Sequence, residues 1–460
     1  MVERVIKKEL THKFVILCIL IFIHLILLMS VKFTAWPEML AWPYLILKGW
    51  LPYRDIAVAH TPLLIVDLTL FYKVFGVGVI QLKIYTWFLI LATDCLLYYL
   101  TRKLWNNKIA LFALTFYIPL QILYEGNGLW FDLALAPLAL VIFYLLNKKH
   151  YLGAGFIWTL AFLTKQTAFW FLIPITISTL QESTFKGETL QGMRKFAIGA
   201  TCISGIIVSL IYLLHILPDI YNWTIKFGIF YLPNAAGQIS YPTFRQIVVT
   251  LFPFIIVIPF LIQANRDKFN LFAWVLAGIL GAFPRFEYFH LQPAIPFLAI
   301  LAGSVTVNTI TTKSYKYYAM LYVYILAISI LAGRFVYRNF SKPTRFVEPA
   351  IVEVADFINN SVYPGSDIYI ANAWDNLYAL SDTLPATKPL IPYLPWYMDL
   401  PGVQDNMIED FKEHRPKLIV EGDYAISGLG SYKPLKVSNY ISENYVKVDK
   451  VGIYSLYVPK

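Results

Sequence analysis

The chain has 460 residues, of which 58% are hydrophobic, 17% aromatic and only 14% charged, a balance that excludes an ordinary soluble domain and points to an integral membrane protein. The net charge of +10 does not indicate nucleic acid. Lys and Arg stand in short connectors between apolar runs, where they set topology and form no groove.

Phe14–Val31 is the first span. It follows Arg4, Lys7, Lys8 and Lys13, exceeds a signal-peptide core and lacks a small-residue cleavage site, so it reads as a retained signal anchor. The first outer loop, 32–62, then crowds Glu38, Arg54, Asp55 and His60 beside the membrane. Ionisable groups held there are a functional hypothesis by default. Leu63–Gly78 is short and carries Asp67 and Lys73, which suits a helix lying in the outer interface better than a span.

Further apolar runs fall at 80–101, 109–124, 128–146, 151–165, 168–181, 196–217, 246–264, 270–283, 291–311 and 317–336. Those at 151–165, 168–181 and 270–283 are short of the roughly 20 residues of a perpendicular crossing. Because 151–181 lies between two basic pairs, it reads as a hairpin with Lys165 at its turn. With the N-terminus inside and 63–78 not crossing, about eleven spans put the basic connectors inside, as the positive-inside rule favours. Arg334, Arg338, Lys342 and Arg345 oppose this arrangement, but a long hydrophilic segment follows, and such segments translocate largely regardless of charge. The expected fold is therefore a polytopic α-helical membrane domain over 1–345 and a small α/β domain over 346–460 outside the membrane. In the latter, Glu348–Asn360 and Met407–His414 read as helices. Asp367–Ala371, Lys417–Val420 and Gly452–Val458 read as strands, and Pro385–Pro401 as a long loop.

This parity places the polar groups on one face. Glu38 can act as a general base if apolar neighbours raise its pKa, although a solvated interfacial Glu fits equally. Asp55 and His60 flank a loop held by Pro52 and Pro62, where preorganised binding competes with a local Arg54–Asp55 ion pair and a capping His. Glu125 and Asp132 are seven residues apart and share a face if the helix begins early. They can hold an acceptor or orient Lys165, and structural salt bridging is the alternative. Lys165 suits the phosphate of an anionic lipid, against snorkelling. Arg285 and His290, with Gln292 just beyond, form a phosphate-binding combination of guanidinium fork and imidazole, whose alternative is helix-end anchoring. His24 and Asp94 lie inside spans, as internal hydrogen-bonding groups. Cys18, Cys95 and Cys202 have no paired spacing and read as buried, inert thiols. No Walker motif, Gly-rich phosphate loop or zinc spacing is present, and two carboxylates are too few to argue for a divalent metal.

The order of Gly-x-x-Pro-Tyr-Arg-Asp and His-Thr-Pro, Glu-Gly-Asn-Gly-Leu-Trp, Leu-Thr-Lys-Gln-Thr, and Pro-Arg-x-x-x-x-His-Leu-Gln-Pro-Ala-x-Pro resembles bacterial GT-C membrane glycosyltransferases. The nearest subgroup is family 39-like, the relatives of protein mannosyltransferases and of the aminoarabinose transferase. The resemblance covers Phe14 to Gly303, with a similar soluble tail. It implies inverting transfer of a sugar from a polyprenyl-phosphate donor to a glycan, lipid or protein acceptor, on the outer face of the bacterial cytoplasmic membrane. Metal dependence varies among such folds, so no cofactor is assigned. Lys165, Arg285 and His290 match the positions for the donor phosphate. Family members often carry an Asp-Glu pair where this chain has Pro37-Glu38, which makes Glu38 the expected base and Asp55 its competitor. A lipid-linked sugar flippase, and an oligosaccharide ligase or polymerase of related architecture, are the rival readings. A transporter would be expected to show internal repeats, and none is evident.

Overall fold

The computed structural model describes residues 2–181, 186–235, 239–258, 266–313, 315–424 and 432–460. The chain divides into two compact units. The first comprises Met1–Phe33, Thr86–Leu210 and Ser240–Lys342, and the second Thr34–Tyr85, Ile211–Ile239 and Pro343–Lys460.

The N-terminal half is a succession of helices, α1 (Val2–Ser30), α2 (Pro37–Leu47), α3 (Leu63–Phe75), α4 (Val79–Leu104), α5 (Asn107–Leu123), α6 (Phe131–Asn147), α7 (Tyr151–Thr164), α8 (Leu172–Gln181) and α9 (Lys186–Leu213). Further helices follow at Phe244–Phe254, Arg266–Leu280, Ile295–Thr312 and Tyr315–Asn339. Among the described residues, five helices are long and apolar enough to cross a membrane, and six shorter apolar helices accompany them. The run expected over 246–264 is helical to Phe254 and continues as a 3₁₀ turn to Val257, while 259–264 lie outside the described residues. Lys165 has extended backbone (φ −154°, ψ 133°), and this breaks α7 from the 3₁₀ turn Gln166–Phe171 that leads into α8.

The core of the first unit is aromatic. Trp274 stacks on Phe297 with ring centroids 5.0 Å apart, and Phe143 meets Phe297 edge-on at 5.5 Å. Small residues let helices close in: a Cβ on Gly303 would stand 2.7 Å from the Ala113 nitrogen of α5, so only glycine permits this approach. All three cysteines are exposed on the protein surface, which corrects the expectation of buried thiols. An apolar run in a membrane helix has a lipid-facing side, so apolar neighbours in sequence do not imply packing.

In the second unit α2 is largely buried, with Met39, Leu40 and Ala41 fully enclosed and Trp42 and Tyr44 4% exposed. The Tyr72 hydroxyl of α3 donates to the Met39 carbonyl. The other face of α3 exposes Val66, Leu70, Val74 and Phe75. A five-stranded sheet of order β2-β1-β3-β5-β4 completes the unit. Its strands are β1 (Asp367–Ala371), β2 (Leu384–Pro385), β3 (Leu418–Gly422), β4 (Tyr445–Val451) and β5 (Tyr454–Pro459). The pairs β1–β2 and β1–β3 are parallel, while β5 joins β3 and β4 antiparallel. Helices Pro349–Ser361, Val403–His414 and Leu435–Asn444 pack with it, and the loop expected over Pro385–Pro401 contains a short helix, Pro395–Met398.

Candidate functional site

In the first unit, three chain breaks bring three polar groups together. The extended Trp130 starts α6 at Phe131, which sets Asp132 in its first turn. Lys165 occupies the kink after α7, and His290 the 3₁₀ turn Tyr288–Leu291 ahead of the Ile295–Thr312 helix. Lys165 Nζ lies 2.6 Å from Asp132 Oδ2, His290 Nδ1 lies 2.7 Å from the same oxygen, and Nζ and Nδ1 are 3.2 Å apart. Asp132 is fully buried and Lys165 only 3% exposed, so snorkelling does not describe this lysine. Asp132 Oδ1 is secluded and accepts no hydrogen bond. Burial, together with the adjacent ammonium, holds the His290 imidazolium below its usual range against the pull of Asp132.

The remaining expected residues of this unit stand elsewhere. Gln292 Nε2 donates to the Gln121 and Tyr124 carbonyls at 3.1 and 2.9 Å, tying off the end of α5. Glu125 has φ +54° in the turn after α5 and is not on a helix with Asp132, because α6 begins only at Phe131; the shared face expected for the two carboxylates is therefore absent. The turn is tight, and a Cβ on Gly126 would meet Gln121 Nε2 at 2.2 Å. Arg285 Nε is 3.7 Å from Glu287 Oε1, and both side chains are partly exposed. His24 and Asp94 bond each other at 2.8 Å, and His24 reaches Gln121 at 3.2 Å, a polar network inside the helices. Asn127, which sequence reasoning missed, donates from Nδ2 to the carbonyls of Leu28, Val31 and Lys32 and accepts from Trp87. It thereby secures the end of α1.

In the second unit Glu38 sits in the first turn of α2 behind Pro37, where a carboxylate is favoured by the helix dipole. Its side chain is partly buried, Oε2 is screened from solvent, and this oxygen accepts no hydrogen bond. Burial pushes its pKa up to about 7, against the pull of its own backbone N–H. Asp375 was not anticipated. It opens the Asn376–Leu380 helical turn, which packs on α2, and burial followed by the charge of Glu38 raises it to about 8. No motif around Asp375 marks it, since the packing of the Asn376–Leu380 turn on α2 is a tertiary event.

Asp55 accepts the Leu51 backbone N–H on Oδ2 at 2.8 Å, and its own N–H returns a bond to the Leu51 carbonyl. The Asp55 carboxylate thus holds a turn. Arg54 does not pair with Asp55 as one expectation had it: its guanidinium donates to the Leu214 and His215 carbonyls and lies 3.8 Å from Asp219. The carbonyl of His60 accepts from the Tyr53 hydroxyl at 2.8 Å, and residues 55–57 pair with Leu390. This loop is fixed in place. Among the described residues, no group of three or more His, Cys, Asp or Glu is arranged to hold a metal ion.

No protein-family model and no curated protein matches the chain. Solved structures do. ArnT from Cupriavidus metallidurans bound to undecaprenyl phosphate is similar with a TM-score of 0.64 at 12% identity, over 98% of both chains. The archaeal oligosaccharyltransferase AglB from Archaeoglobus fulgidus, in complex with an inhibitory peptide and a dolichol-phosphate, is similar with a TM-score of 0.54 at 11% identity, over 98% of this chain and 74% of that one. The chain has the GT-C fold. At this identity the likeness establishes the fold, and substrate and chemistry must be argued from the residues. Together with the long apolar helices, the GT-C fold makes this a multi-pass membrane protein.

Proposed function

We propose that this protein is a glycosyltransferase that moves a sugar from a polyprenyl-phosphate donor to a lipid, glycan or protein acceptor, at the outer face of the bacterial cytoplasmic membrane. The observation that carries the reading is Glu38, a carboxyl on a GT-C fold with a screened, unbonded oxygen and a pKa near neutrality. A general base works best when its pKa lies near the operating pH. Glu38 takes the proton of the acceptor hydroxyl or amine as that atom bonds to the anomeric carbon. The anomeric C–O bond breaks on the opposite side, and its electron pair leaves with the polyprenyl phosphate, which inverts the configuration.

Lys165 and His290 are proposed to hold the donor phosphate, with Asp132 fixing both. A phosphate anion beside His290 favours its protonated form, which gives the leaving oxygen a charge-assisted donor. Arg285 offers a guanidinium fork to the same class of ligand. The solved structures of ArnT with undecaprenyl phosphate and AglB with a dolichol-phosphate support a donor of this class. Asp55, bonded twice to Leu51, is assigned to loop geometry and not to the base. The segment 346–460 is proposed to lie outside the membrane.

The test is purified protein incubated with a panel of radiolabelled polyprenyl-phosphate sugars and membrane extracts, with mass analysis of the glycosylated product. Glu38→Gln should lower turnover by about 10²–10⁴-fold with donor binding nearly unchanged. Retention of most turnover in Glu38→Gln with loss in Asp55→Asn would transfer the role to Asp55. Protein-dependent passage of lipid-linked sugar across vesicles, with no transfer, would replace the transferase reading.

A further inference from the structure

A second polar network of the first unit runs from inside the helices to the loops that carry the buried cluster. His24 of α1 and Asp94 of α4 are fully buried, and the ring Nδ1 lies 2.8 Å from Asp94 Oδ2. The other ring nitrogen faces Gln121 Oε1 of α5 at 3.2 Å, and Gln121 Nε2 donates to the Gly126 carbonyl at 2.9 Å. A carbonyl only accepts, so the amide nitrogen must point at Gly126 and its oxygen at His24. The hydrogen between them therefore belongs to His24 Nε2. The other proton of the pair lies in the bond between Nδ1 and Asp94, which leaves the pair without net charge, as a dry interior favours. Tyr117 stands edge-on to His24 at 6.2 Å and makes no hydrogen bond with its hydroxyl, so the orientation of the ring falls to Asp94.

Gln121 in turn holds two loops. Its side chain bonds the Gly126 carbonyl and its own carbonyl accepts the Gly126 N–H, which closes the turn after α5. The same Gln121 carbonyl accepts from Gln292 Nε2 at 3.1 Å. The first loop leads through Trp130 to Asp132, and the second carries His290 just ahead of Gln292. Their rings also meet, since Trp130 packs edge-on against Phe289 at 5.9 Å and Phe289 lies against His290 at 4.3 Å. Bonds that only stitched helices together would end on helices, whereas these end on the two loops whose side chains pair at 2.7 Å.

We propose that His24 is a positioning residue for the cluster of Asp132, Lys165 and His290: Asp94 orients its ring, the ring fixes the Gln121 amide, and Gln121 sets the two loops at the spacing that lets His290 meet Asp132. Its bearing on catalysis rests on the reading of His290 as a group that holds the donor phosphate. Without the hydrogen on Nε2 the Gln121 amide is free to turn, the Gly126 carbonyl loses its donor, and the loops are released together. Misplacement of a reacting group by about 1 Å costs about 10²-fold in rate.

Diethyl pyrocarbonate, which acylates unprotonated imidazole, reads the placement of His290 directly, because its side chain is only 14% exposed. The full chain in detergent is treated and acylation is quantified by peptide mass spectrometry, with the exposed His150 and His414 as internal references. His24→Phe and Asp94→Leu should speed acylation of His290 by about tenfold, the factor that one lost buried hydrogen bond makes in a local opening, and leave His150 and His414 unchanged. Asp94→Asn should stay within about twofold of wild type, since an amide can donate to Nδ1 and keep the proton on Nε2. Gln121→Asn keeps an amide too short to reach both partners; it should act in the same direction as His24→Phe and serves if the larger changes unfold the protein. Acylation of His290 at the wild-type rate in His24→Phe and Gln121→Asn overturns the proposal, and Asp94→Asn as fast as Asp94→Leu removes Asp94 from it. Binding of a short-chain polyprenyl phosphate to the same variants separates the two readings. Faster acylation with unchanged affinity keeps the positioning and removes His290 from donor binding, whereas lost affinity with unchanged acylation keeps the donor reading and removes His24.

Discussion

Lys165→Met tests the buried cluster most severely. The substitution keeps the length of the side chain and removes its charge, leaving Asp132 with His290 as its remaining hydrogen-bond donor and with Oδ1 still unsatisfied. Asp132 is fully buried, so its carboxylate cannot recover the loss from water. Breaking a buried pair by removing one partner costs about 3–5 kcal/mol, most of it the stranded charge and not the lost attraction. The asymmetry gives a signature: Lys165→Met/Asp132→Asn should recover much of the loss, because the stranded charge is gone, while Asp132→Asn alone strands the ammonium and should be destabilised comparably. The assay is thermal unfolding in detergent, followed by tryptophan fluorescence for the three variants and wild type, alongside binding of a short-chain polyprenyl phosphate. A Lys165→Met protein that melts with wild type would refute the ion pair. A double variant no better than Lys165→Met would show that the lysine acts through packing. If Lys165 also serves the donor, the double variant regains stability without regaining phosphate affinity.

Glu38 makes stability depend on pH with a definite sign. Its pKa is raised from 4.5 to about 7, so the stability it contributes is complete below about pH 4.5 and is lost as pH rises through 7. Glu38→Gln should therefore be more stable than wild type at pH 8, by at most about 3 kcal/mol, but not at pH 4.5, as read by melting temperature, and an equal difference at both pH values would contradict the burial. Arg285→Ala should weaken polyprenyl-phosphate binding more than Arg285→Lys, which keeps the charge and loses the fork; equal affinity in wild type and Arg285→Ala would remove Arg285 from donor binding. For topology, Glu287→Cys should be labelled by an impermeant thiol reagent in intact cells and Lys148→Cys should not, on a background in which Cys18, Cys95 and Cys202 are replaced. Labelling of 148 alone would invert the proposed sidedness.

By itself the sequence determined the membrane class and the places of most helices, because long apolar runs broken by charge have few other stable forms. It also located Asp367–Ala371 as a strand to the residue and Pro349–Ser361 to within a residue at either end, since turn residues and a clear apolar period bound both. The partly buried hairpin β4–β5 was only half legible: β5 follows Gly452, but β4 is exposed along most of its length, and its alternating Val446 and Val448 are themselves exposed. The polar residues were picked out individually, and only the tertiary structure decided their partners. Lys165 has no acidic neighbour in sequence and finds Asp132 only where α6 and the kink after α7 meet. Asp55 turns out to hold its own loop, and Arg54 reaches carbonyls some 160 residues away. Asp375 is brought to α2 across more than three hundred residues by the packing of the helical turn that it opens. Local patterning records what each segment buries, but a pKa or an ion pair depends on which segments pack together, and one-dimensional spacing does not encode that.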